Sequence, residues 1–287
     1  MFPTQFEYHR PTSIQEAVQL LSDNPDAKLL AGGHSLLPAM KLRLAAPAAL
    51  VDLARVPGLR GITANGNVTI GAMTTYVELL DSPELLERLP IMHETAHRVG
   101  DAQVRSRGTL GGCLAHADPA ADYTAVMLAL GASVKVIGSG GERTIASDDL
   151  FVDLLTTSLA PDEIITEITI PTGSSSRGMA YEKHSHPASG YAVVGVAAVI
   201  EAGEGSTAGS VRVAVTGATA NAMRLTAVEN ALAGGALSAE ALQAAADYAA
   251  DGLELTGDHY ASAEYRAHLL RVLTRRALER AASQISG

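Results

Sequence analysis

Two stretches of the chain set glycines beside hydroxyl and histidine side chains: AGGHS at residues 31–35 and TLGGC at 109–113. Glycine lacks a Cβ, so backbone N–H groups around it can approach a ligand closely. A turn of such groups feeding a helix N-terminus makes an anion site, and a diphosphate is its natural occupant. Neither stretch is a GxGxxG fingerprint or a Walker A loop, and a tight turn that binds nothing reads the same way. The second stretch continues LAHADPAAD, placing Asp118 and Asp122 near a helix start. A carboxylate there either caps the helix or accepts hydrogen bonds from a ribose, as in dinucleotide sites. Two separated Gly-Gly turns could hold two ends of one diphosphate.

Two other constellations compete. HETAH at 93–97 is a literal HExxH. On a helix, His93 and His97 share a face as zinc ligands, with Glu94 as base. A third ligand is needed, and His116 or Asp118 follow a glycine-rich stretch rather than a zincin continuation. In YEKHSHPASGY (181–191), Glu182, His184 and His186 alternate and could face one way on a strand. That permits a metal site without requiring one, and a polar strand face is the plainer reading. Lys183 or Tyr191 would instead serve a bound ring, as donor and packing surface. No GxSxG elbow is present.

The elements that must hold these residues follow from patterning. Apolar residues are 47% of the 287, aromatics only 4%, and Trp is absent, so the cores are mainly Ala, Leu, Val and Ile. Two or three subdomains are expected at this length. Net charge is −10 without a basic tail, which argues against nucleic acid. The single cysteine, Cys113, excludes an internal disulfide and a cysteine-ligated iron–sulfur cluster within the chain. The N-terminus has neither the basic head nor the apolar core of a secretory signal, and no apolar run spans a membrane. The expectation is a soluble, cytoplasmic protein.

Ser13 and Glu16 have capping-box spacing for a helix with Ile14, Ala17, Val18 and Leu21 on one face. Strands are expected at 28–31 and 49–53, with a helix between them that Ser35 caps and that runs to Leu44. Asn65-Gly66 turns a hairpin. Helices follow over 75–98, and another ends at Gly131. A hairpin over 132–145 and a strand closed by Pro171 come next. TGSSSRG (172–178) reads as a linker. Strands at 179–184, 191–201 and 210–216 precede a helical remainder, in which Leu270, Leu273, Ala277 and Ala281 share a face.

AGGHSLLPAMKLRLA together with TLGGCLAHADPAAD resembles the FAD-binding medium subunit of the molybdenum hydroxylases, of the carbon monoxide dehydrogenase medium-chain type. FEYHRPTSIQEAVQLL, VDL, IGAMTT, YEK and EYRAHLLRVLTRRALERA extend the resemblance over nearly the whole chain. It implies an α+β fold: a vanillyl-alcohol-oxidase/PCMH-type FAD-binding domain of two subdomains (1–56 and 57–173), plus a C-terminal small-sheet-and-helices domain (177–287). It implies FAD as cofactor, its diphosphate against both glycine stretches. The residues carried over are Ala31, Gly32, Gly33, His34, Ser35 and Leu36, and Thr109, Leu110, Gly111, Gly112 and Cys113. Lys28, Leu29 and Leu30 precede the first motif on its strand. Asp122 matches a carboxylate at the ribitol or ribose, Ile165 an aliphatic contact, Lys183 a lysine near the flavin and Tyr191 a tyrosine at the ring. No residue of the chain is assigned to catalysis or to a metal.

The resemblance further implies an electron-transfer subunit, with a large molybdopterin-binding and a small iron–sulfur subunit as partners in a dimer of heterotrimers. Two departures stand out. Cys113 replaces the usual Asn or small polar residue, and a thiol is a weak hydrogen-bond partner. KHSHPASGYAVVG differs from the basic, Asp-Tyr-containing segment of the carbon monoxide enzymes and looks more like the group acting on aldehydes or N-heterocycles. A self-sufficient FAD oxidoreductase and a flavin-free scaffold subunit are the alternative readings.

Overall fold

The computed structural model describes residues 2–173, 176–205 and 207–285. Ser174 and Ser175, central to the expected linker, lie outside the described residues.

The chain opens with β1 (Glu7–His9), α1 (Ile14–Asp23), β2 (Ala27–Leu30), α2 (Leu36–Lys41) and β3 (Ala49–Asp52). The three strands form a parallel sheet in the order β1-β3-β2, with Leu30 opposite Asp52. Strand β1 was not foreseen; its three residues carry little apolar signal. Ser13 caps α1 by accepting the Glu16 N–H at 3.2 Å, while the Glu16 carboxylate accepts from Thr12 N–H at 2.8 Å. The reciprocal bond of the capping box is therefore displaced by one residue. Ala17, Val18 and Leu21 pack with Ala49 and Val51 of the sheet.

A second sheet follows: β4 (Ile62–Asn65), β5 (Asn67–Gly71), β6 (Ser133–Gly138), β7 (Gly141–Ala146) and, after a small hairpin of β8 (Phe151–Asp153) and β9 (Thr156–Thr157), β10 (Ile164–Ile170). Its antiparallel order is β4-β5-β10-β6-β7. Between β5 and β6 lie α3 (Tyr76–Leu80), α4 (Pro83–Arg88), α5 (Pro90–Arg98), α6 (Ala102–Arg107), α7 (Leu110–His116) and α8 (Asp122–Leu130). A short α9 (Ser147–Leu150) precedes β8. All nine residues of α8 are buried, and the helix is apolar on every side. It ends where Gly131 takes φ +62°.

The third sheet is antiparallel: β11 (Arg177–Ser185), β12 (Ala192–Ala202), β13 (Ala208–Thr216) and β14 (Met223–Arg224). Helices α10 (Thr226–Leu232), α11 (Ala239–Asp247) and α12 (Ala263–Ile285) complete it. On β12, Val194, Val196, Ala198 and Ile200 pack with Leu270, Leu273, Ala277 and Ala281 of α12, while Ala197 and Val199 join the core around α8. Alternate residues thus meet protein on both faces, which explains why the strand reads as an unbroken apolar run. Among the described residues no helix is long and apolar enough to cross a membrane.

Candidate cofactor site

A cavity of about 1000 Å³ lies where β2, α2, α7, the start of α8 and the 155–165 segment meet. That is the upper end of the range for small-molecule sites. Residues 31–35 join β2 to α2 along one wall, with Gly33 at φ +76°. His34 Nδ1 lies 3.2 Å from the Gly32 carbonyl oxygen, within the turn. The Leu37 N–H donates to the Gly33 carbonyl at 3.1 Å, which starts the helix. The N–H groups of Gly33, His34, Ser35 and Leu36 meet no protein acceptor among the described residues. Unpaired amides at a helix start are what an anion needs.

Two expectations about this segment change. Ser35 has helical backbone angles (φ −109°, ψ −50°), and its hydroxyl makes no capping bond. The helix also stops at Lys41 rather than Leu44, because Arg43 adopts φ +60° and the Leu44 N–H turns back to the Ala39 carbonyl at 2.8 Å.

The second glycine pair is not a loop. Thr109 is the N-cap of α7, and Gly111 and Gly112 form its first turn. Their amides are all used: Leu110 N–H donates to Thr74 O (3.0 Å), Gly111 to Ala72 O (2.8 Å), Gly112 to Thr109 Oγ1 (3.2 Å) and Cys113 to Thr109 O (3.0 Å). What the glycines provide is close approach. A Cβ at Gly111 would stand 2.5 Å from the Ala72 Cβ, and one at Gly112 would stand 2.7 Å from Thr109 Oγ1 and 3.2 Å from the Ala31 Cβ. A Cβ at Gly32 would overlap the Arg107 carbonyl. Gly32 and Gly112 let the two segments close on each other, while Gly111 packs its helix on Ala72; among the described residues the first motif alone offers free donors.

Asp122 begins α8 on the cavity wall but is buried and engaged. Its Oδ1 accepts from the Tyr181 hydroxyl (2.5 Å) and from Lys183 Nζ (2.8 Å). Lys183 Nζ also donates to the Arg98 carbonyl at 2.9 Å. Burial raises the Asp122 carboxyl above the usual aspartate range, with the Lys183 ammonium and then the Tyr181 hydroxyl pulling against it. The loop before Asp122 is pinned to the third sheet: Gly217 N–H donates to Pro119 O at 2.6 Å, and the Thr216 hydroxyl lies 2.8 Å from Ala121 O. Nearby, burial pushes the Cys113 thiol up to about 12, so it stays protonated. Tyr76, stacked on Tyr123 at 5.3 Å, is likewise held neutral by burial.

Of the residues singled out from sequence, Lys28, Leu29, Ala31, Gly32, Gly33, His34, Ser35, Leu36, Thr109, Gly111, Gly112, Cys113, Asp122, Ile165 and Tyr191 line the cavity. Leu30, Leu110 and Lys183 do not. Leu110 faces the core, and the Lys183 side chain, fully shielded, reaches the wall only through Asp122. Sequence reasoning missed Tyr76, the 45–48 stretch, Leu155, Thr157, Leu159 to Pro161, and Gly100 with Val104. For Tyr76 a signal existed: it directly follows IGAMTT.

In both competing constellations the carboxylate is engaged by Arg280. Glu94 of HETAH accepts from Arg280 Nη1 at 2.8 Å, and the two histidine rings sit 4.8 Å apart, edge to face. Arg280 also takes Glu182 at 2.6 Å. His184 packs near Tyr265, and His186 against Tyr260. Among the described residues no three such groups cluster to hold a metal ion.

Comparison with known proteins places this geometry. Residues 4–173 match the family model for the FAD binding domain in molybdopterin dehydrogenase, and 179–281 that for the CO dehydrogenase flavoprotein C-terminal domain. The chain is 42% identical to the carbon monoxide dehydrogenase medium chain of Hydrogenophaga pseudoflava, covering 98% of each. It is 41% identical to the nicotine 6-hydroxylase medium subunit of Paenarthrobacter nicotinovorans, covering 96% of this chain and 97% of that one. Among solved structures it is similar to carbon monoxide dehydrogenase from H. pseudoflava lacking the Mo-pyranopterin moiety (TM-score 0.96, 42% identity, 99% of each chain). Quinoline 2-oxidoreductase from Pseudomonas putida 86 is similar too, with a TM-score of 0.93 and 32% identity over 100% of each chain.

Proposed function

Because this chain belongs to the family of FAD-binding medium subunits of the molybdenum hydroxylases, we propose that it holds FAD in the cavity between its two glycine motifs and relays electrons for a multi-subunit oxidoreductase. The observation that carries the assignment is the run of amides from Gly33 to Leu36, unpaired among the described residues, on the wall of a cavity of about 1000 Å³. The residues present fit the cofactor. Those amides and the uncommitted Ser35 hydroxyl offer donors for a diphosphate. Ala45 to Ala48 and Ile165 supply apolar wall, and Tyr76 and Tyr191 supply aromatic surface. Bound there, FAD supplies the redox chemistry, taking up and giving up electrons.

The chain's own residues bind, orient and shield. Thr109 fixes the start of α7, so that Gly112 meets Ala31 and the two motifs form one wall. Lys183 and Tyr181 hold Asp122 at its place on that wall. Cys113 stays a thiol and takes no part as a nucleophile. With one cysteine, the chain cannot ligate an iron–sulfur cluster by thiolates.

The electrons therefore come from elsewhere: a small iron–sulfur subunit and a large molybdopterin-binding subunit, in a dimer of heterotrimers in the cytoplasm. The same reading divides the chain into units 1–56, 57–173 and 177–287, the first two enclosing the cofactor. Departures around KHSHPASGY make carbon monoxide only one candidate substrate of the complex, beside aldehydes and N-heterocycles. Affinity purification of the tagged chain from its native cells tests this. Recovery with two further chains, iron and molybdenum is expected; a chain that purifies alone and turns over an organic substrate by itself contradicts the relay role.

A further inference from the structure

Residues 186–191 link β11 to β12 and carry Tyr191 to the cavity wall. One residue ties the base of this loop. The His186 N–H donates to the Tyr191 carbonyl at 2.8 Å, and the His186 carbonyl accepts the Gly190 N–H at 2.9 Å. The His186 imidazole completes the tie: its Nδ1 accepts the Ala188 N–H at 3.2 Å.

The surroundings of the ring are committed elsewhere. Tyr260 packs on it, with centroids 4.4 Å apart. The Asp258 carboxylate, which interacts electrostatically with the ring, accepts the N–H groups of Tyr260 and Ala261, each at 2.8 Å, and pairs with Arg266. His184, on the same strand, packs near Tyr265 instead. Among the described residues the imidazole is the protein acceptor for the exposed Ala188 N–H.

We propose that His186 is a positioning residue: its neutral ring fastens the loop that presents Tyr191 to the cofactor cavity, and protonation unfastens it. An imidazolium has N–H at both nitrogens and cannot accept. The Ala188 N–H then loses its partner, and the ring carries a charge beside Tyr260 and the Asp258–Arg266 pair. The inference rests on the reading of the cavity as an FAD site.

The test is FAD titration of the full-length chain at pH 8 and pH 5.5, followed by quenching of flavin fluorescence, for wild type, His186→Asn and His186→Leu. Asparagine can accept an N–H two residues on and does not titrate; leucine cannot accept. Wild type should weaken about fivefold more than His186→Asn on going to pH 5.5, the size of one ordinary hydrogen bond. His186→Leu should bind about fivefold more weakly than wild type at pH 8 and match it at pH 5.5. Equal pH dependence in wild type and His186→Asn, or wild-type affinity for His186→Leu at pH 8, overturns the proposal. No FAD binding by wild type at pH 8 refutes the cofactor reading, and this inference falls with it.

Discussion

Lys183 gives a sharp test of how the cavity wall is held. Its side chain is 0% exposed and that of Asp122 is 7% exposed, so solvent screens neither. Lys183→Met leaves the Asp122 carboxylate buried, with the Tyr181 hydroxyl as its remaining side-chain donor. Breaking one side of a buried pair costs about 3–5 kcal/mol. At about 2–4 °C per kcal/mol for a chain of this size, Tm falls by about 6–20 °C at pH 8. The loss depends on pH in a definite direction. Burial already raises the Asp122 carboxyl, and removing Lys183 deletes the largest opposing influence. An acid with a raised folded pKa binds its proton more tightly in the folded state. That contribution is complete at low pH and is lost as pH rises toward the folded pKa. The deficit of Lys183→Met therefore grows with pH, by up to about 1.4 kcal/mol per unit, and is smaller at pH 5.5 than at pH 8. Adding Asp122→Asn removes the stranded charge and should restore most of the stability. Thermal melts of wild type, both single variants and the double variant at the two pH values decide it. A double variant as unstable as the sum of its singles would refute the reasoning.

Ser35 and Thr109 separate donors from scaffold. Ser35→Ala, which removes no cap, should leave Tm within about 2 °C while weakening FAD binding; Thr109→Ala removes an N-cap worth about 1 kcal/mol and should lower Tm measurably. Melts and FAD titrations of the two variants check this, and a larger stability loss at Ser35 than at Thr109 contradicts it. Cys113, with its thiol pushed up to about 12 by burial, stays protonated at pH 8. Iodoacetamide should label the folded chain far more slowly than the unfolded chain; equal rates would show an exposed, reactive thiol.

Much of the architecture was legible because its signals are local. The strands at 27–30 and 49–52, the helix stop at Gly131 and the buried face of α12 were all written in apolar spacing or in a single glycine. The first motif was legible for the same reason: AGGHS marks its own turn. The role of the second was not. TLGGC reads as a turn, yet Thr109 caps it into a helix, and the Leu110 and Gly111 amides go to Thr74 and Ala72, more than 30 residues earlier in the chain. Long-range packing of that kind leaves no periodic trace. Lys183 is a similar case: a lysine on a strand reads as a donor to a ligand, and its pairing with Asp122, on a different element, leaves no local trace. HETAH shows the converse: a five-residue pattern is complete, but it lacks a zincin continuation and its glutamate is taken by Arg280 from the far end of the chain.

The most direct measurement is the visible absorption spectrum of the purified full-length chain, with chromatographic identification of whatever cofactor heat releases, for wild type and Gly32→Val. A flavin spectrum with FAD released in near-equal amount to the chain, lost in a Gly32→Val variant that keeps its fold, is the predicted result: a Cβ at Gly32 overlaps the Arg107 carbonyl and would push the two motifs apart. FMN in place of FAD, or FAD retained undiminished by Gly32→Val, would contradict a cofactor held between them.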